Sequence, residues 1–558
     1  MMGGNGKSPI GGADRSPGGA AARYVLAIDI GTTGAKTCLY EAGERLSLVA
    51  CAEHEYSIVF TADGGAEQEP DDWWRASCLG TREVLARAGI AAELVKGMAF
   101  CCQMQALVLV DRDGRALRPA MSYMDQRAVE EKRRGLERGI KVAGMNVGKL
   151  LPSLALAGGV SASVKDPVWK YHWVRNHEPE VVAKAAKWLD VKEYLVAKAT
   201  GRFIMTPDSA NSTFLYDTRP GHEGWSPMLC RLFDVDIGLM PEVIGPSEVA
   251  GPLRPQAAAE LGLAPGTPVF GGGGDLTLIA LGSGALGLGQ AHVYMGTSGW
   301  VAASVDRRAV DTEAMAASVL GAMPGRYNYI SEQETSGKCM EWVRDHLALD
   351  EIGLYLGAHN VADDPESRYS SIYEFLDETM AAVEPGAGGV IFAPWLRGSR
   401  SPFEDPNARG IFFNVGVDTG KSRLVRAVAE GLALQCRWQL EAIRRKVDAK
   451  GPLRFVGGGA RSRSIATMIA DATGEVVEVT EGPQNAGALG AAMLCAAGLG
   501  FVGSVEESAS LVPVARRVEP DPGNHAIYDR HYDVLKRLYW SNRANFGLLN
   551  GGRARAEA

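Results

Sequence analysis

Two short glycine-bounded segments, one in each half of the chain, constrain the fold more than any other feature. Residues 29–34 (DIGTTG) follow the apolar run 24–28, and residues 296–299 (GTSG) follow the apolar run 291–295. Each predicts a strand that enters a tight hairpin with hydroxyl side chains at its tip. Glycine lets backbone N–H groups approach an anion closely, and Thr or Ser hydroxyls add donors. The repetition predicts two related domains that hold one polyphosphate from opposite sides, through Gly31, Thr32, Thr33, Gly296, Thr297 and Ser298.

Length and charge limit the classes of protein to consider. A chain of 558 residues with 46% hydrophobic residues is long enough for two or three globular domains. The net charge of −8 argues against a nucleic-acid binder, which usually carries a basic face. We expect no membrane partner either, because no segment is long and apolar enough to span a bilayer. Residues 1–22 and 547–558 are predicted to be flexible tails.

The cysteines favour a reducing compartment, and the histidines do not predict a metal site. The nine cysteines are scattered without a C-x-x-C pair, and Cys101 and Cys102 are adjacent, which does not favour a bridge between them. This usage is typical of a reducing compartment, so we expect a cytoplasmic protein. The nine histidines lack the spacing of a zinc site.

Short strand-like runs alternate with helical patterns, which predicts an α/β fold. The clearest helical patterns cover residues 70–88, with Asp71 and Asp72 as expected caps, and residues 181–200. Strand-like runs occur at 107–110 and 269–270.

A glycine-rich segment at residues 282–289 is the best candidate for a domain boundary. It lies between an apolar run and the strand of the second hairpin, where a hinge fits. We therefore expect a first domain over residues 23–285 and a second over residues 286–546.

Asp29 ends the first predicted strand directly before its glycine turn. A carboxylate there would stand near the phosphates, where Mg²⁺ needs hard oxygen ligands and shared waters. We predict that Asp29 binds Mg²⁺ directly or through water. The alternative is a turn-forming aspartate bonded to its own backbone.

Asp275 follows four consecutive glycines, residues 271–274, and precedes the apolar run 276–281. The glycines permit very close approach of a ligand to the backbone. The carboxylate is then placed at the floor of a cleft, where it can accept a proton from an alcohol. A glycine linker followed by a capping aspartate is the alternative.

A third glycine cluster, residues 457–459, follows the apolar run 453–456 and precedes a helical pattern at 465–472. A strand, a glycine turn and a helix start form a flat backbone surface that suits a nucleotide base and ribose. The alternative is an ordinary strand-to-helix turn. The candidate nucleotide contacts are Gly457, Gly458, Gly459, Ala460 and Ser462.

Two polar clusters between apolar segments are typical of a pocket for a polyhydroxylated molecule. They are Gln103, Met104 and Gln105, and the segment from Asp125 to Arg127. Taken singly, each residue also suits a solvated loop.

The chain resembles the FGGY family of carbohydrate kinases, and within it the xylulokinase branch. The resemblance runs from about residue 24 to about residue 545. The segments that carry it are residues 29–34, 66–74, 125–127, 271–275, 296–299, 398–402, 405–410 and 457–462.

The resemblance implies a two-domain fold of the actin and ribonuclease H type, with ATP and sugar meeting in a cleft between the domains. It places the catalytic base at Asp275 and sugar contacts at Gln103, Met104, Gln105, Tyr123, Asp125 and Arg127. Two departures lie at the expected sugar: Cys102 stands where the branch usually has Gly, and Gln105 where it usually has His. Lys165 also departs from the leading position of a family signature.

We therefore predict an ATP- and Mg²⁺-dependent sugar kinase in which Asp275 takes the proton from the attacking hydroxyl. The first expected substrate is a ketopentose such as D-xylulose, with another ketose, an aldonate or a polyol as alternatives. Rival classes are an actin-like or chaperone-like ATPase and a non-catalytic sugar sensor. A homodimer is compatible with the resemblance.

Overall fold

The structure, a computed structural model, describes residues 23–142, 144–347 and 371–551. It is a mixed α/β protein, as the sequence predicts. The strands are β1 Tyr24–Ile30, β2 Gly34–Ala42, β3 Leu46–Glu55, β4 Val59–Phe60, β5 Ala66–Gln68, β6 Val95–Cys102, β7 Val108–Val110, β8 Ala120–Met121, β9 Lys141–Val142, β10 Met145–Asn146, β11 Lys187–Leu189, β12 Ile204–Met205, β13 Tyr216–Asp217, β14 Gly224–Trp225, β15 Glu242–Val243, β16 Val249–Pro252, β17 Pro268–Phe270, β18 Gly273–Gly274, β19 Gln290–Met295, β20 Gly299–Val305, β21 Val310–Asp311, β22 Ala316–Leu320, β23 Tyr327–Gln333, β24 Ile391–Ala393, β25 Ile411–Phe413, β26 Lys450–Val456, β27 Val477–Thr480 and β28 Val514–Val518.

The helices vary from single turns to a long C-terminal helix. They are α1 Pro70–Ala88, α2 Val129–Leu136, α3 Val147–Leu156, α4 Pro167–His177, α5 Pro179–Lys184, α6 Val191–Thr200, α7 Pro207–Ser212, α8 Pro227–Leu232, α9 Pro255–Leu261, α10 Asp275–Ser283, α11 Gly337–His346, α12 Ile372–Ala381, α13 Lys421–Arg444, α14 Arg463–Thr473, α15 Ala486–Gly498, α16 Val505–Ser510 and α17 Pro522–Asn550.

Two large sheets repeat one topology. In the first, the order is β16-β17-β6-β1-β2-β3, and β18 also pairs with β6. In the second, the order is β21-β22-β23-β20-β19-β26-β27-β28. Each sheet has an antiparallel hairpin, β1–β2 or β19–β20, whose first strand pairs in parallel with a later strand, β6 or β26. The repeat confirms two related halves, each built around one of the two hairpins.

Several predicted elements are confirmed. The predicted helix over residues 70–88 is α1, and the strand predicted at 269–270 is β17, which begins at Pro268. A proline at the first position leaves the sheet intact because its missing N–H falls at the strand start. The segment 453–472 forms the predicted strand, glycine turn and helix.

One long predicted helix is wrong. Residues 181–200 divide into the end of α5, strand β11 and helix α6. The Lys187–Leu189 segment pairs with β7, and Trp188 is buried in a stack with Tyr171. Tertiary pairing and aromatic burial thus override the local helical pattern.

The predicted capping of α1 is also wrong. Residue Glu69 occupies the N-cap, without a side-chain hydrogen bond to the helix. Asp71 instead accepts hydrogen bonds from Tyr194 and Lys198 of α6, and Asp72 pairs with Arg75. Both carboxylates still lie in the first turn, where the helix dipole favours negative charge.

The two predicted tails lie at and beyond the ends of the described part of the chain. The predicted tail at residues 1–22 lies outside the described residues, as do residues 552–558. Helix α17 continues to Asn550, so the tail predicted from residue 547 overlaps the helix by four residues, 547–550. Across the described part of the chain, none of the helices combines the length and the apolar character needed to cross a membrane.

Helices α10 and α15 cross at very close range. A Cβ placed on Gly282 would lie 1.9 Å from the carbonyl oxygen of Ala486, and one on Gly490 would lie 2.0 Å from that of Leu278. Although α15 follows the second sheet in sequence, its residues Ala488 and Ala491 belong to the same apolar cluster as strand β1. The crossing therefore ties the two halves together, and the division at residues 285/286 stays a prediction.

Replacing Gly490 tests this crossing. Gly490→Ala should destabilise the protein by roughly 1–3 kcal/mol, because the new methyl group would overlap a backbone oxygen that cannot move alone. The matched control is Gly547→Ala in α17, where a Cβ meets nothing within 4 Å. That control should be neutral or stabilising by up to about 1 kcal/mol, since alanine has the higher helix propensity. Equal unfolding midpoints in urea for the two variants would contradict the close crossing.

Candidate active site

A cavity of about 990 Å³ lies between the two halves of the molecule. Both hairpin turns and both of the predicted carboxylates reach it. The predicted site residues that line it are Asp29, Gly31, Thr32, Thr33, Gln103, Met104, Gln105, Tyr123, Asp275, Gly296, Thr297, Ser298, Gly457 and Gly458. The structure thus brings the phosphate, sugar and base candidates to one place.

The first hairpin turn is closed by its own backbone and by one tyrosine. The N–H of Gly31 donates to the carbonyl of Gly34 at 2.9 Å. The Tyr56 hydroxyl donates to the carbonyls of Gly31 and Gly34, at 2.5 and 3.1 Å. With these carbonyl oxygens bound elsewhere, repulsion between them and an approaching phosphate is reduced.

The second turn is supported by the start of α11. The N–H of Gly296 donates to the carbonyl of Ser298 at 2.9 Å, and the N–H of Gly337 donates to the carbonyl of Gly296 at 2.8 Å. A Cβ on Gly337 would lie 2.5 Å from that same oxygen, so the contact requires glycine. The positive end of the α11 dipole therefore lies beside the turn, where it favours an anion.

Asp275 is the first residue of α10, and its position is fixed by the glycines before it. Gly272 has φ +67° and approaches Phe100 so closely that a Cβ would lie 2.3 Å from its carbonyl oxygen. The N–H of Gly274 donates to buried Asp208 at 2.7 Å. The glycine run is thus a tightly packed strand end, and the flexible-linker alternative does not apply.

The carboxylate of Asp275 is tuned toward accepting a proton near neutral pH. Burial raises its pKa to about 7; a hydrogen bond from the N–H of Leu276 opposes the shift, and the charges of Asp29 and Glu332 add to it. The Leu276 N–H binds Oδ1 at 2.8 Å, which leaves Oδ2 for a substrate hydroxyl.

Asp29 stands opposite Lys36 in the first hairpin. Burial raises the pKa of Asp29, while the Lys36 ammonium acts to lower it. Helix α15 begins beside this carboxylate: a Cβ on Gly487 would lie 2.6 Å from Asp29 Oδ2. Lys36 also donates to the carbonyl of Gln484 at 2.8 Å and so links the first hairpin to the turn before α15.

On the sugar side, a chain of polar side chains connects the pocket to the first hairpin. Gln103 donates to Gln68 at 2.8 Å, and Gln68 donates to the carbonyl of Thr32 at 2.7 Å. The hydroxyls of Tyr123 and Thr32 are hydrogen-bonded at 3.1 Å. Gln103 Oε1 is buried and has no hydrogen-bond partner within the described part of the chain. A buried acceptor of this kind suits a substrate hydroxyl.

Met104 packs against the glycine that precedes Asp275. A Cβ on Gly274 would lie 2.1 Å from Met104 Sδ. The sugar-side loop and Asp275 therefore hold each other in place.

Four charged residues near the pocket were not among the predicted contacts. Arg400 pairs with Glu332 at 2.8 Å, and Lys165 pairs with Glu334 at 2.9 Å. Burial acts to raise the pKa of Glu334, but Lys165 and Arg400 hold it below its usual range. The sequence signal for Arg400 was that its segment resembles the family. No motif pointed to the two glutamates, which lie at the end of β23 and directly after it.

Two predicted sugar contacts lie outside the cavity lining. Buried Asp125 accepts a hydrogen bond from the N–H of Ala66 at 2.9 Å and pairs with Arg127 at 2.7 Å. Arg127 also pairs with Glu67 at 2.6 Å. The charges of Asp125 and Arg127 are thus used within the protein, and any contact of these residues with a sugar stays a prediction.

The third glycine cluster reaches the cavity with only its first two residues. A Cβ on Gly458 meets nothing within 4 Å, whereas one on Gly459 would lie 2.5 Å from Met295 Sδ. Ala460 is fully buried, and Ser462 caps α14 by accepting from the N–H of Ile465 at 3.0 Å. Gly459, Ala460 and Ser462 therefore shape the turn, and any contact they make with a nucleotide stays a prediction.

Similarity to known proteins agrees with this arrangement. Residues 24–282 match the N-terminal domain of the FGGY family of carbohydrate kinases, and residues 291–499 match its C-terminal domain. The chain belongs to the FGGY family of carbohydrate kinases, and it is an ATP-dependent sugar kinase. The rival hypotheses of an actin-like or chaperone-like ATPase and of a silent sensor are thereby set aside.

Individual relatives cover nearly the whole chain. The xylulose kinase of Escherichia coli strain K12 is 29% identical over 516 residues, which are 92% of this chain and 98% of that protein. A gluconate kinase from Lactobacillus acidophilus superposes with a TM-score of 0.79 at 21% identity, over 95% of this chain and all of that one (100%). A ligand-bound xylulose kinase from the same organism gives 0.78 at 22% identity, over 94% and 100%. The two structures confirm the predicted fold.

The raised pKa of Asp275 predicts a pH-dependent stability. Because the folded-state pKa is about 7 and the ordinary value is 3.8, ionising Asp275 costs stability as the pH rises from about 4 to about 7. Asp275→Asn should therefore match the parent near pH 4 and exceed it above pH 7.5. A change of about three in pKa corresponds to a difference of at most about 4 kcal/mol in the free energy of unfolding. Chemical unfolding across this range measures the difference, and a difference that does not change with pH would contradict the assignment.

Proposed function

We propose that the sugar is a neutral ketose, and that D-xylulose is the best candidate. The observation that carries this proposal is the charge balance of the cavity wall. The whole-length similarity to a xylulose kinase supports the same substrate class. A different ketose, a polyol or an aldonate are the alternatives that the experiment below separates.

Most of the cations near the cavity have a carboxylate partner; Arg397, which also lines it, lies over the ring of Phe60. Lys165 and Arg400 are paired with Glu334 and Glu332, and Lys338 is paired with Glu341 at 2.6 Å. The carboxylates of Asp29 and Asp275 add negative charge beside them. An aldonate would have to bring its own carboxylate into this environment, and like charges at close range oppose binding. A neutral sugar meets no such penalty.

Asp275 supplies the base in this proposal. Its Oδ2 accepts the proton of one substrate hydroxyl as that oxygen forms its bond to the γ-phosphorus, and the bond from that phosphorus to the β,γ-bridging oxygen breaks. The turns at Gly31 and Gly296 hold the phosphates on either side. Closure of the cleft around both ligands would exclude water and limit hydrolysis of ATP.

Mg²⁺ fits the donor set as a partner of ATP. In the ranges that the structure describes, no cluster of three or more His, Cys, Asp or Glu side chains could hold a metal ion. Mg²⁺ needs only one or two carboxylates when phosphates and waters complete its shell, and Asp29 offers one beside the first hairpin. When bound, the ion would neutralise charge on the phosphates.

A substrate screen tests the proposal. ATP consumption is measured with D-xylulose, other ketoses, polyols and D-gluconate, and the Asp275→Asn protein serves as the background control for each sugar. We expect the highest kcat/KM for D-xylulose and a much lower value for D-gluconate, because of the charge balance described above. A preference for D-gluconate over every neutral sugar would overturn the proposal.

The role of Asp275 is tested with the same variant. Asp275→Asn should lower kcat by about 10²–10⁴-fold, because the amide cannot accept the proton. ATP affinity measured without sugar should stay within about twofold of the parent, since the phosphates are held by the hairpin turns. Near-normal turnover in the folded variant would remove Asp275 from the mechanism.

A further inference from the structure

Gln105 has an unusual backbone conformation for a residue in a binding pocket. Its φ is +65°, in the left-handed region that L-residues with side chains seldom occupy. For a residue other than glycine, such a conformation costs of the order of 1–2 kcal/mol and persists only where the surroundings enforce it. The chain has Ala106, not glycine, beside it, so neighbouring flexibility does not relieve the strain.

Two ionisable side chains bind three of the four polar groups in the two peptide bonds that flank the Gln105 Cα. Asp190 accepts hydrogen bonds from the N–H groups of Gln105 and Ala106, at 2.7 and 2.9 Å. Lys170 donates to the carbonyl of Gln105 at 2.7 Å. Together these three bonds fix both peptide planes next to the Gln105 Cα, and therefore the direction in which its side chain leaves the backbone.

Neither Lys170 nor Asp190 lies in the cavity lining that contains Gln105. Lys170 comes from α4 and is 0% exposed; Asp190 precedes α6 and is 5% exposed. Asp190 also accepts from the N–H of Val191 at 2.8 Å, so the start of α6 fixes its carboxylate in turn. Burying two ionisable groups is costly, and each is retained here in direct contact with one strained residue.

We propose that Lys170 and Asp190 are positioning residues that aim the side chain of Gln105 at the sugar and thereby set sugar affinity and selectivity. The inference rests on the proposed function, in which Gln105 faces a neutral sugar. It adds two residues that act on the substrate only through the backbone of a third. Substitutions of these two residues should weaken sugar binding and leave nucleotide binding unchanged.

The direct test is Lys170→Met, which keeps the length of the side chain and removes its donor. The sugar KM should rise roughly 10- to 100-fold, because a small misplacement of a positioning group carries a cost of that size. The ATP dissociation constant without sugar should stay within about twofold. A folded variant with the parent's sugar KM would overturn the inference.

A matched control distinguishes the positioning role of Lys170 from the general effect of losing a hydrogen bond between a lysine and a backbone carbonyl. Lys187 donates to the carbonyls of Gly238 and Met240, at 2.8 and 2.9 Å, away from the cavity. Lys187→Met should leave the sugar KM unchanged. If both variants raise the sugar KM equally, the effect is a general loss of stability and the inference fails.

A double-mutant cycle with Gln105→Ala tests whether Lys170 acts through Gln105. Without the glutamine side chain there is nothing left to aim, so Lys170→Met should change kcat/KM by less than about threefold in that background. Full additivity of the two changes would contradict the proposal, whatever the size of each.

Asp190→Asn provides a second variant in case Lys170→Met does not fold. The amide retains one acceptor and loses the other, so the sugar KM should again rise while ATP binding is kept; a parent-like KM would overturn the inference. The outcomes stay distinct from those of the substrate screen. If the parent phosphorylates no neutral sugar, the proposed function fails; if it does and both variants match it, only the positioning role fails.

Discussion

The close crossing of α10 and α15 is the contact on which the rest of the structure depends. Gly282 and Gly490 let the two helices touch backbone to backbone, and the N-termini of both helices then reach the same cavity. Asp275 begins one helix, and Gly487 in the first turn of the other lies against Asp29. A side chain larger than glycine at the crossing would separate the helices and with them the two carboxylates.

The electrostatic design of the site follows from this geometry. Burial raises the pKa of both Asp29 and Asp275, whereas Glu332 and Glu334 are paired with Arg400 and Lys165. In the proposed function, a base and a carboxylate near Mg²⁺ need different surroundings from the groups that contact a neutral sugar. The ion pairs of Arg400 and Lys165 fit the second requirement, because they leave these two cations with partners of their own.

Local sequence was informative wherever a short-range rule decides the structure. The two glycine-bounded turns, the glycines before Asp275 and the helix over residues 70–88 could be predicted, since tight turns and helix periodicity depend on neighbouring residues. It failed at residues 181–200, where pairing with β7 replaced a helical turn by a strand. It also predicted that Asp125 and Arg127 contact the sugar; the two side chains are paired with each other outside the cavity lining, so that contact stays a prediction.

The sequence alone determined the two related halves, and it predicted the phosphate turns and the base, because each of these features depends on a short run of consecutive residues. Only the tertiary structure decided which polar groups share the cavity. Glu332 and Glu334 meet Arg400 and Lys165 across long sequence separations, and Lys170 of α4 and Asp190, the residue before α6, converge on Gln105. Contacts of this kind come from packing of distant segments, for which a single sequence carries no local signal.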